Sequence, residues 1–162
     1  MKLSLALCTV SMLALAMLFG AGCTGEREDG PPKINLGRDE CVECGMIISE
    51  ERFSSALIVE EHGRLQPQLF DDIGDMLDYE RGHPEAVIMR RFVHDYETGT
   101  WLAAADAVYV STDAIHTPMG SGVVAFRSAD EAQKHAGSDG HTLKWPELAG
   151  FRMAWRKEHF GR

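Results

Sequence analysis

The sequence is short of cysteine and of positive charge, and both shortages limit what the protein does. Only 4 of its 162 residues are cysteine, and 16 Lys and Arg are outnumbered by 25 Asp and Glu, which gives a formal net charge of −9. Loss of a leader containing Lys2 takes the charge to −10. Because nucleic acids and anionic lipids attract basic proteins, we expect no nucleic-acid partner and no electrostatic attachment to a membrane.

The chain also lacks the short motifs of several large enzyme classes. It contains no G-x-S-x-G, no glycine-rich phosphate loop and no H-E-x-x-H, and these motifs mark common hydrolase and nucleotide sites. A single C-x-x-C pair, Cys41 and Cys44, has no second pair with which to close a four-cysteine zinc site. The sequence therefore predicts a protein that is not an enzyme and has no structural zinc site of that type.

The first residues read as a secretory leader. Lys2 precedes an apolar run over residues 3–19, and Gly-Ala-Gly then leads to Cys23. This pattern predicts a lipoprotein signal peptide over residues 1–22, with Cys23 acylated as the first mature residue; ordinary cleavage with an incidental thiol is the alternative. We therefore expect a lipid-anchored protein that faces the periplasm. Thr24 in place of Asp favours the outer membrane.

Behind the leader, composition separates a tether from a folded region. Residues 23–37 are rich in Gly, Pro and charge, as expected of a lipidated flexible tether. Residues 38–162 are long enough for one compact domain or two small halves, and we predict subdomains over about 38–96 and 97–162.

Hydrophobic periodicity predicts a mixture of strands and helices. In the first half we expect strands over 55–60 and 64–70, with Pro67 at a sheet edge, a helix from Asp71 or Asp72 to Gly82 with Ile73, Met76 and Leu77 on one face, and a strand over 86–96. In the second half we expect a segment extended at both ends over 101–110, a strand over 122–126, a helix from Ser128 to Ala136 capped by Gly137, and a strand or tail over 151–162.

Two strand-to-helix junctions have the same order of residues. Residues 69–76 (LFDDIGDM) and 125–132 (AFRSADEA) each run from a Phe-terminated strand through a polar cap into a helix. This order indicates an α+β fold with a duplicated β-β-α-β unit, although two unrelated junctions would give the same pattern.

The stretch CVECGMII over residues 41–48 concentrates the sulfur chemistry of the chain. A disulfide between Cys41 and Cys44 and a redox-active pair are both open readings, since exported cysteines often oxidise. Met46 follows closely, and Met119 lies in the turn-rich stretch HTPMGSG, where a core methionine is less expected. Thiolate and thioether are soft donors that suit Cu(I) better than Zn(II), Mg(II) or Ca(II).

Three motifs in order resemble one known family. These are C-x-x-C-G-M after a lipoprotein-like leader, VHDYETGTWLAAADAVYV over 93–110 and TPMGSGVVAF over 117–126. Together they are similar to the NosL family, the copper-chaperone lipoproteins of nitrous-oxide reductase maturation. The resemblance implies two small β-β-α-β subdomains with an organomercurial-lyase-like fold.

The same resemblance implies a function and a ligand set. The implied function is a periplasmic Cu(I)-binding metallochaperone that delivers copper to nitrous-oxide reductase with its membrane-bound assembly factors, as a monomer or a metal-dependent dimer. The implied ligands are Cys44, Met46 and Met119, with Cys41 and His116 as further candidates. A C-x-x-C thiol–disulfide module is the alternative function. We interpret Asp95, Trp101 and Asp106 as structural, and Asp71-Asp72 as a helix cap.

Overall fold

The computed structural model describes residues 30–138 and 140–161. The predicted signal peptide, residues 1–22, and the predicted lipidation site, Cys23, lie outside the described residues. Within the described ranges, no helix is long and apolar enough to cross a membrane. The chain joins the folded body early, because Ile34 packs against the core and Gly37 donates its N–H to the Ile48 carbonyl.

A four-stranded antiparallel sheet forms the first half of the fold. Its strands are β1 (Ser55–Glu61), β2 (Arg64–Phe70), β3 (Val87–His94) and β4 (Trp101–Ala103), in the order β2-β1-β3-β4. His62 and Gly63 both have positive φ, so β1 reverses directly into β2. Pro67 lies on an edge strand, as predicted, where a missing N–H is tolerated.

Helix α1 (Ile73–Gly82) follows β2 and packs on β1 and β2. Asp72 is its N-cap, and the Asp72 carboxylate accepts the N–H of Gly74 at 2.6 Å. The cap satisfies a helix N–H that has no partner inside the helix. The predicted apolar face is the buried one, with Ile73, Met76 and Leu77 all in the core.

A three-stranded antiparallel sheet and a second helix form the other half. The strands β5 (Val108–Ser111), β6 (Val123–Phe126) and β7 (His141–Leu143) lie in the order β6-β5-β7, and α2 (Ala129–Ala136) connects β6 to β7. Ser128 accepts the Glu131 N–H at 3.3 Å and Gly137 ends the helix with φ of 62°, both as predicted.

Both halves run β-β-α-β, so the fold is α+β with the predicted pair of units. The first unit is β1, β2, α1 and β3, and the second is β5, β6, α2 and β7. The segment expected to be extended at both ends is shared between the sheets, as β4 in the first and β5 in the second. The sheets meet where the Tyr96 N–H donates to the Ala125 carbonyl at 2.8 Å. The larger apolar core draws residues from both units, including Leu57, Phe70 and Tyr109.

The C-terminal segment is a helix, α3 (Trp145–Phe160), so the predicted strand or tail over 151–162 is wrong. Pro146 in the first turn and the Glu147 carboxylate, which accepts the Lys144 N–H at 2.9 Å, start this helix before the predicted window. Buried Arg152 donates to Asp78 of α1 at 3.1 Å, which docks α3 on α1.

Candidate metal centre

The two cysteines lie in a tight turn at the end of a short hairpin, residues 37–48. The Cys41 N–H donates to the Met46 carbonyl at 2.8 Å, and the Gly45 N–H donates to the Cys41 carbonyl at 2.8 Å. Gly45 has φ of 76°, a conformation that residues with a Cβ rarely adopt. The segment from Cys41 to Met46 is therefore a turn and not an extended strand.

The start of α1 places two carboxylates beside this turn. The Val42 N–H donates to the Leu69 carbonyl at 2.9 Å, which fixes the hairpin on the end of β2. Asp71 follows β2 directly and Asp75 lies in the first turn of α1, and their exposed fractions are only 2% and 5%. Packing of the hairpin on this junction brings both carboxylates to the cysteines.

Four donor groups converge at this point, and we call them the cysteine–aspartate cluster: Cys41, Cys44, Asp71 and Asp75. One ligand atom from each lies within 4.8 Å of the others. The Cys41 Sγ is 3.4 Å from an Asp75 oxygen, and the Cys44 Sγ is 3.7 Å from an Asp71 oxygen. Both thiols are free. Cys41 is buried, while Cys44 is partly exposed.

Burial dominates the electrostatics of the cluster. It raises the pKa of both thiols, strongly for Cys41, where the backbone N–H groups of Cys44 and Asp71 oppose the rise only in part. Burial also raises the pKa of Asp75 to about 6; the cysteine thiols oppose this rise, and the charges of Asp71 and Asp72 add to it. The positive end of α1 offsets part of the cost of burying these acids. Such a cluster is stabilised by an added cation.

Asp72 attaches a loop of the second unit, residues 112–122, to the same helix start. Its fully buried carboxylate accepts the Thr117 hydroxyl at 2.6 Å, the Met119 N–H at 3.1 Å and the Ser121 hydroxyl. We call Asp72, Thr117, Met119 and Ser121 the Asp72 clasp. Asp72, which accepts the Met119 N–H, directly follows Asp71, whose carboxylate faces Cys44. The clasp therefore binds the Met119 backbone one residue along the chain from the cysteine–aspartate cluster.

The predicted ligands occupy different environments. Cys44 and Cys41 lie in the cysteine–aspartate cluster. The side chains of Met46 and Met119 are 52% and 39% exposed, so neither fills the core. His116 is exposed and is not a member of the cluster. The structure thus joins the two cysteines to the helix start and leaves both thioethers at the surface.

Sequence reasoning missed Asp71 and Asp75 as partners of the cysteines. It assigned Asp71-Asp72 to helix capping, and the structure confirms that role for Asp72 alone. Asp71 precedes the N-cap and Asp75 lies in the first turn of the helix, so helical spacing does not relate the two residues. Their meeting with the cysteines depends on hairpin docking, which no local pattern reports.

Comparisons with known proteins agree on one family. The NosL family model matches residues 33–149, which is most of the chain. The copper-binding lipoprotein NosL of Stutzerimonas stutzeri is 26% identical over 153 residues, covering 85% of this chain and 78% of that protein. The crystal structure of the copper chaperone NosL from Shewanella denitrificans matches with a TM-score of 0.59 at 20% identity, covering 72% of this chain and 96% of that chain. The fold described above is therefore the fold of that structure.

Proposed function

The chain belongs to the NosL family, and from this we propose that it is a periplasmic metallochaperone that binds one Cu(I) ion through sulfur. It delivers the ion to nitrous-oxide reductase while the copper centres of that enzyme are assembled, together with the membrane-bound assembly factors of the reductase. It acts as a carrier and not as an enzyme. Acylated Cys23 holds it to a bacterial membrane, the outer membrane in our proposal.

One observation carries the proposal: two free thiols meet at a helix start in a chain whose relatives are named for copper. Thiolate sulfur is a preferred donor for Cu(I). Copper binding must displace a thiol proton, so affinity should fall as pH is lowered. Buried acids around the thiols favour the arrival of a cation.

The proposed ligands are Cys44 as thiolate, with Met46 and Met119 as thioethers. Cys44 is the partly exposed sulfur of the cluster, and both methionines are exposed and free of core packing. The Asp72 clasp supports a role for Met119, because it brings a loop of the second unit to the helix start that also holds Asp71. Cys41 is an auxiliary donor in this proposal, and His116 is a further nitrogen candidate.

This ligand set also supports transfer. Cu(I) accepts two or three ligands, so a partner protein can exchange sulfur for sulfur at Cys44 without unfolding the carrier. The methionines are exposed on the protein surface, where such an exchange can begin. A closed four-cysteine site would hold the ion too firmly for this purpose.

A thiol–disulfide module is the competing function. An attacking C-x-x-C cysteine needs a lowered pKa so that thiolate is present at neutral pH. Burial instead raises the pKa of both Cys41 and Cys44. This direction is unfavourable for disulfide exchange, because little thiolate is present at neutral pH to attack a disulfide.

The test is an anaerobic Cu(I) titration in competition with a chromogenic chelator. Cys23→Ser in the tested protein leaves Cys41 and Cys44 as its thiols after residue 23. We expect Cys44→Ser to weaken affinity about 100-fold and Cys41→Ser less than about 10-fold, because only Cys44 is a primary ligand. Met46→Ala and Met119→Ala should each cost about 10-fold, corresponding to the loss of one donor, with the fold intact.

Met89→Ala is the matched control for Met119→Ala. Both methionines are 39% exposed, but Met89 lies on β3, away from the clasp. The Cu(I) affinity of the Met89→Ala variant should therefore equal that of the unsubstituted protein. If Cys41→Ser and Cys44→Ser weaken Cu(I) affinity equally, both thiolates bind the ion and the proposed ligand set is wrong. If the protein does not bind Cu(I) tightly and the reduction potential of its C-x-x-C pair is close to that of periplasmic oxidants, it acts instead as a thiol–disulfide module.

A further inference from the structure

We propose that a groove between the end of the second sheet and α3 binds an organic cation, an alkylammonium or guanidinium group on a short apolar stem. We call it the α3 groove, and the lining residues that carry the argument are Ser111, Thr112, Asp113, Phe151, Trp155 and Glu158. None of these residues belongs to the cysteine–aspartate cluster or to the proposed copper ligands. The inference therefore goes beyond copper binding and does not depend on it.

The sheet side of the α3 groove is polar, and one of its hydroxyls is unsatisfied. Tyr109 and Ser111 lie on the same face of β5, because side chains alternate along a strand. The Tyr109 ring packs on Trp145 of α3 with ring centroids 5.8 Å apart, so Ser111 also faces the side of α3. Ser111 is only 7% exposed, yet its hydroxyl forms no hydrogen bond with any residue over 30–138 and 140–161. Buried hydroxyls are normally hydrogen-bonded, so this one points to a polar ligand group.

The helix side of the α3 groove is aromatic and held in place. Phe151, Trp155 and Glu158 follow the i, i+4, i+7 spacing of one helix face. The Arg152 guanidinium lies 4.6 Å from the centroid of the Trp155 ring, and the His141 ring packs on Phe151 with centroids 5.2 Å apart. Packed rings give a preformed surface for a hydrocarbon stem, and aromatic rings also attract cations.

The rim of the α3 groove is acidic. Asp113 follows β5 and Glu158 lies near the end of α3, and both side chains are exposed. Within the part of the chain that the structure describes, neither carboxylate forms an ion pair with Lys, Arg or His. No described Lys or Arg lines the groove. Two unpaired carboxylates repel an anion and attract a cation.

Size and donor geometry select an organic cation over a metal ion. The cavity measures about 260 Å³, below the lower limit of about 300 Å³ for ordinary small-molecule pockets, so it fits a group the size of one side chain. Among the described residues, the donor atoms of Asp113, His141 and Glu158 do not converge as those of the cysteine–aspartate cluster do. The stem of the cation therefore lies along Phe151 and Trp155, with its charged head near the acids.

An NMR titration of the isotope-labelled Cys23→Ser protein tests the inference. The probes are butylammonium, butylguanidinium and butanol, which has the same stem without the charge. We expect both cations to shift the amide signals of Ser111 and Thr112 and the indole signal of Trp155, with affinities in the millimolar range. Butanol should bind at least about 5-fold more weakly, because it gains nothing from the two acids. This comparison needs no variant and so does not depend on how a variant folds.

Charge-removing variants test the rim. Asp113→Asn and Glu158→Gln should each weaken butylammonium binding about 3-fold, since each removes one exposed charge. Asp130→Asn is the matched control, because Asp130 is also an exposed acid but lies on α2, outside the groove lining. It should leave the affinity unchanged. Added salt should weaken the binding of both cations and not that of butanol.

A peptide arm identifies the source of the cation. A blocked Gly-Lys-Gly peptide is compared with the same peptide carrying norleucine in place of lysine. Binding of the lysine peptide at the same signals assigns the groove to a basic side chain of a partner protein, whereas binding of butylammonium alone assigns it to a free amine; both results support the inference. Absence of binding, equal binding of butylammonium and butanol, shifts outside the groove, or unchanged affinity in both acid variants would overturn it. None of these measurements uses copper, so each of these results leaves the proposed function untouched.

Discussion

The two helix starts of this fold occupy equivalent positions in the two β-β-α-β units, and only one of them gathers metal donors. Aligned on Phe70 and Phe126, the residues that follow pair as Asp71 with Arg127, Asp72 with Ser128, Gly74 with Asp130, and Asp75 with Glu131. Both caps accept a helix N–H. The acids of the first start are buried, while in the second Asp130 is exposed and Glu131 is partly exposed.

What differs is the structure that covers each start. The hairpin of residues 37–48 packs against the first helix start, and the loop of residues 112–122 binds Asp72 from the other side. The β1–β2 connection, which is the counterpart of that loop in the first unit, is by comparison a tight turn at His62 and Gly63. A common junction therefore becomes a candidate metal centre when neighbouring segments bury its acids beside sulfur.

The largest expected effect on stability is the difference between removing the Asp72 cap and removing the Ser128 cap. Asp72→Ala should lower the free energy of unfolding by about 3 kcal/mol, because the cap is lost and buried donors of the clasp lose their acceptor. Ser128→Ala removes only an ordinary cap and should cost about 1 kcal/mol. Urea denaturation of both variants measures the difference, and Asp72→Asn, which keeps one acceptor oxygen, should recover part of the loss. Equal costs for the two alanine variants would mean that the clasp contributes nothing.

A smaller effect concerns the close approach at Gly74. A Cβ at this position would lie 2.5 Å from the Ser121 Cβ, so Gly74→Ala should cost about 2 kcal/mol, although alanine is otherwise the better helix former. Asp130→Ala at the equivalent exposed position should change stability by less than about 0.5 kcal/mol. Repeating Gly74→Ala in a Ser121→Gly background should remove most of the penalty. A penalty that persists there would locate the strain elsewhere.

The smallest effect has the opposite sign. Asp75 ionises with a pKa of about 6 in the folded protein, above its ordinary value of 3.8, so its charge opposes folding. The cost begins as pH rises above about 4 and is complete above about 6. A shift of this size corresponds to roughly 3 kcal/mol. Because Asn leaves a buried amide in place of the acid, we expect Asp75→Asn to stabilise the metal-free protein by only about 1 kcal/mol at pH 7, with the gain fading by pH 4. Glu131→Gln, at the partly exposed equivalent position, should give no such gain. Urea denaturation midpoints of both variants, measured between about pH 4 and pH 7, test this difference.

Local patterns predicted much of this architecture. The apolar spacing of Ile73, Met76 and Leu77 and the cap at Ser128 depend on neighbours within a few residues, and the structure confirms both. The start of α3 was missed because Pro146 and Glu147 precede the segment taken as C-terminal.

The candidate site was less accessible to sequence reasoning. The cysteines stand out by their scarcity, whereas Asp75 resembles any acid in the first turn of a helix. Its role depends on a contact with Cys41 over 34 residues of chain. The Asp72 clasp spans a still longer separation, 47 residues from Asp72 to Met119. Contacts of this range come from tertiary packing and leave no periodic trace.

The Asp72 clasp also has a consequence for biogenesis. Its acceptor oxygens are filled only when residues 117–121 arrive from the second unit, so a partly synthesised or partly translocated chain lacks the finished pocket. Under the proposed ligand set, such a chain could present Cys44 but not Met119. Under that ligand set, the complete set of donors is available only after the chain has been extended beyond Ser121 and both units have folded together.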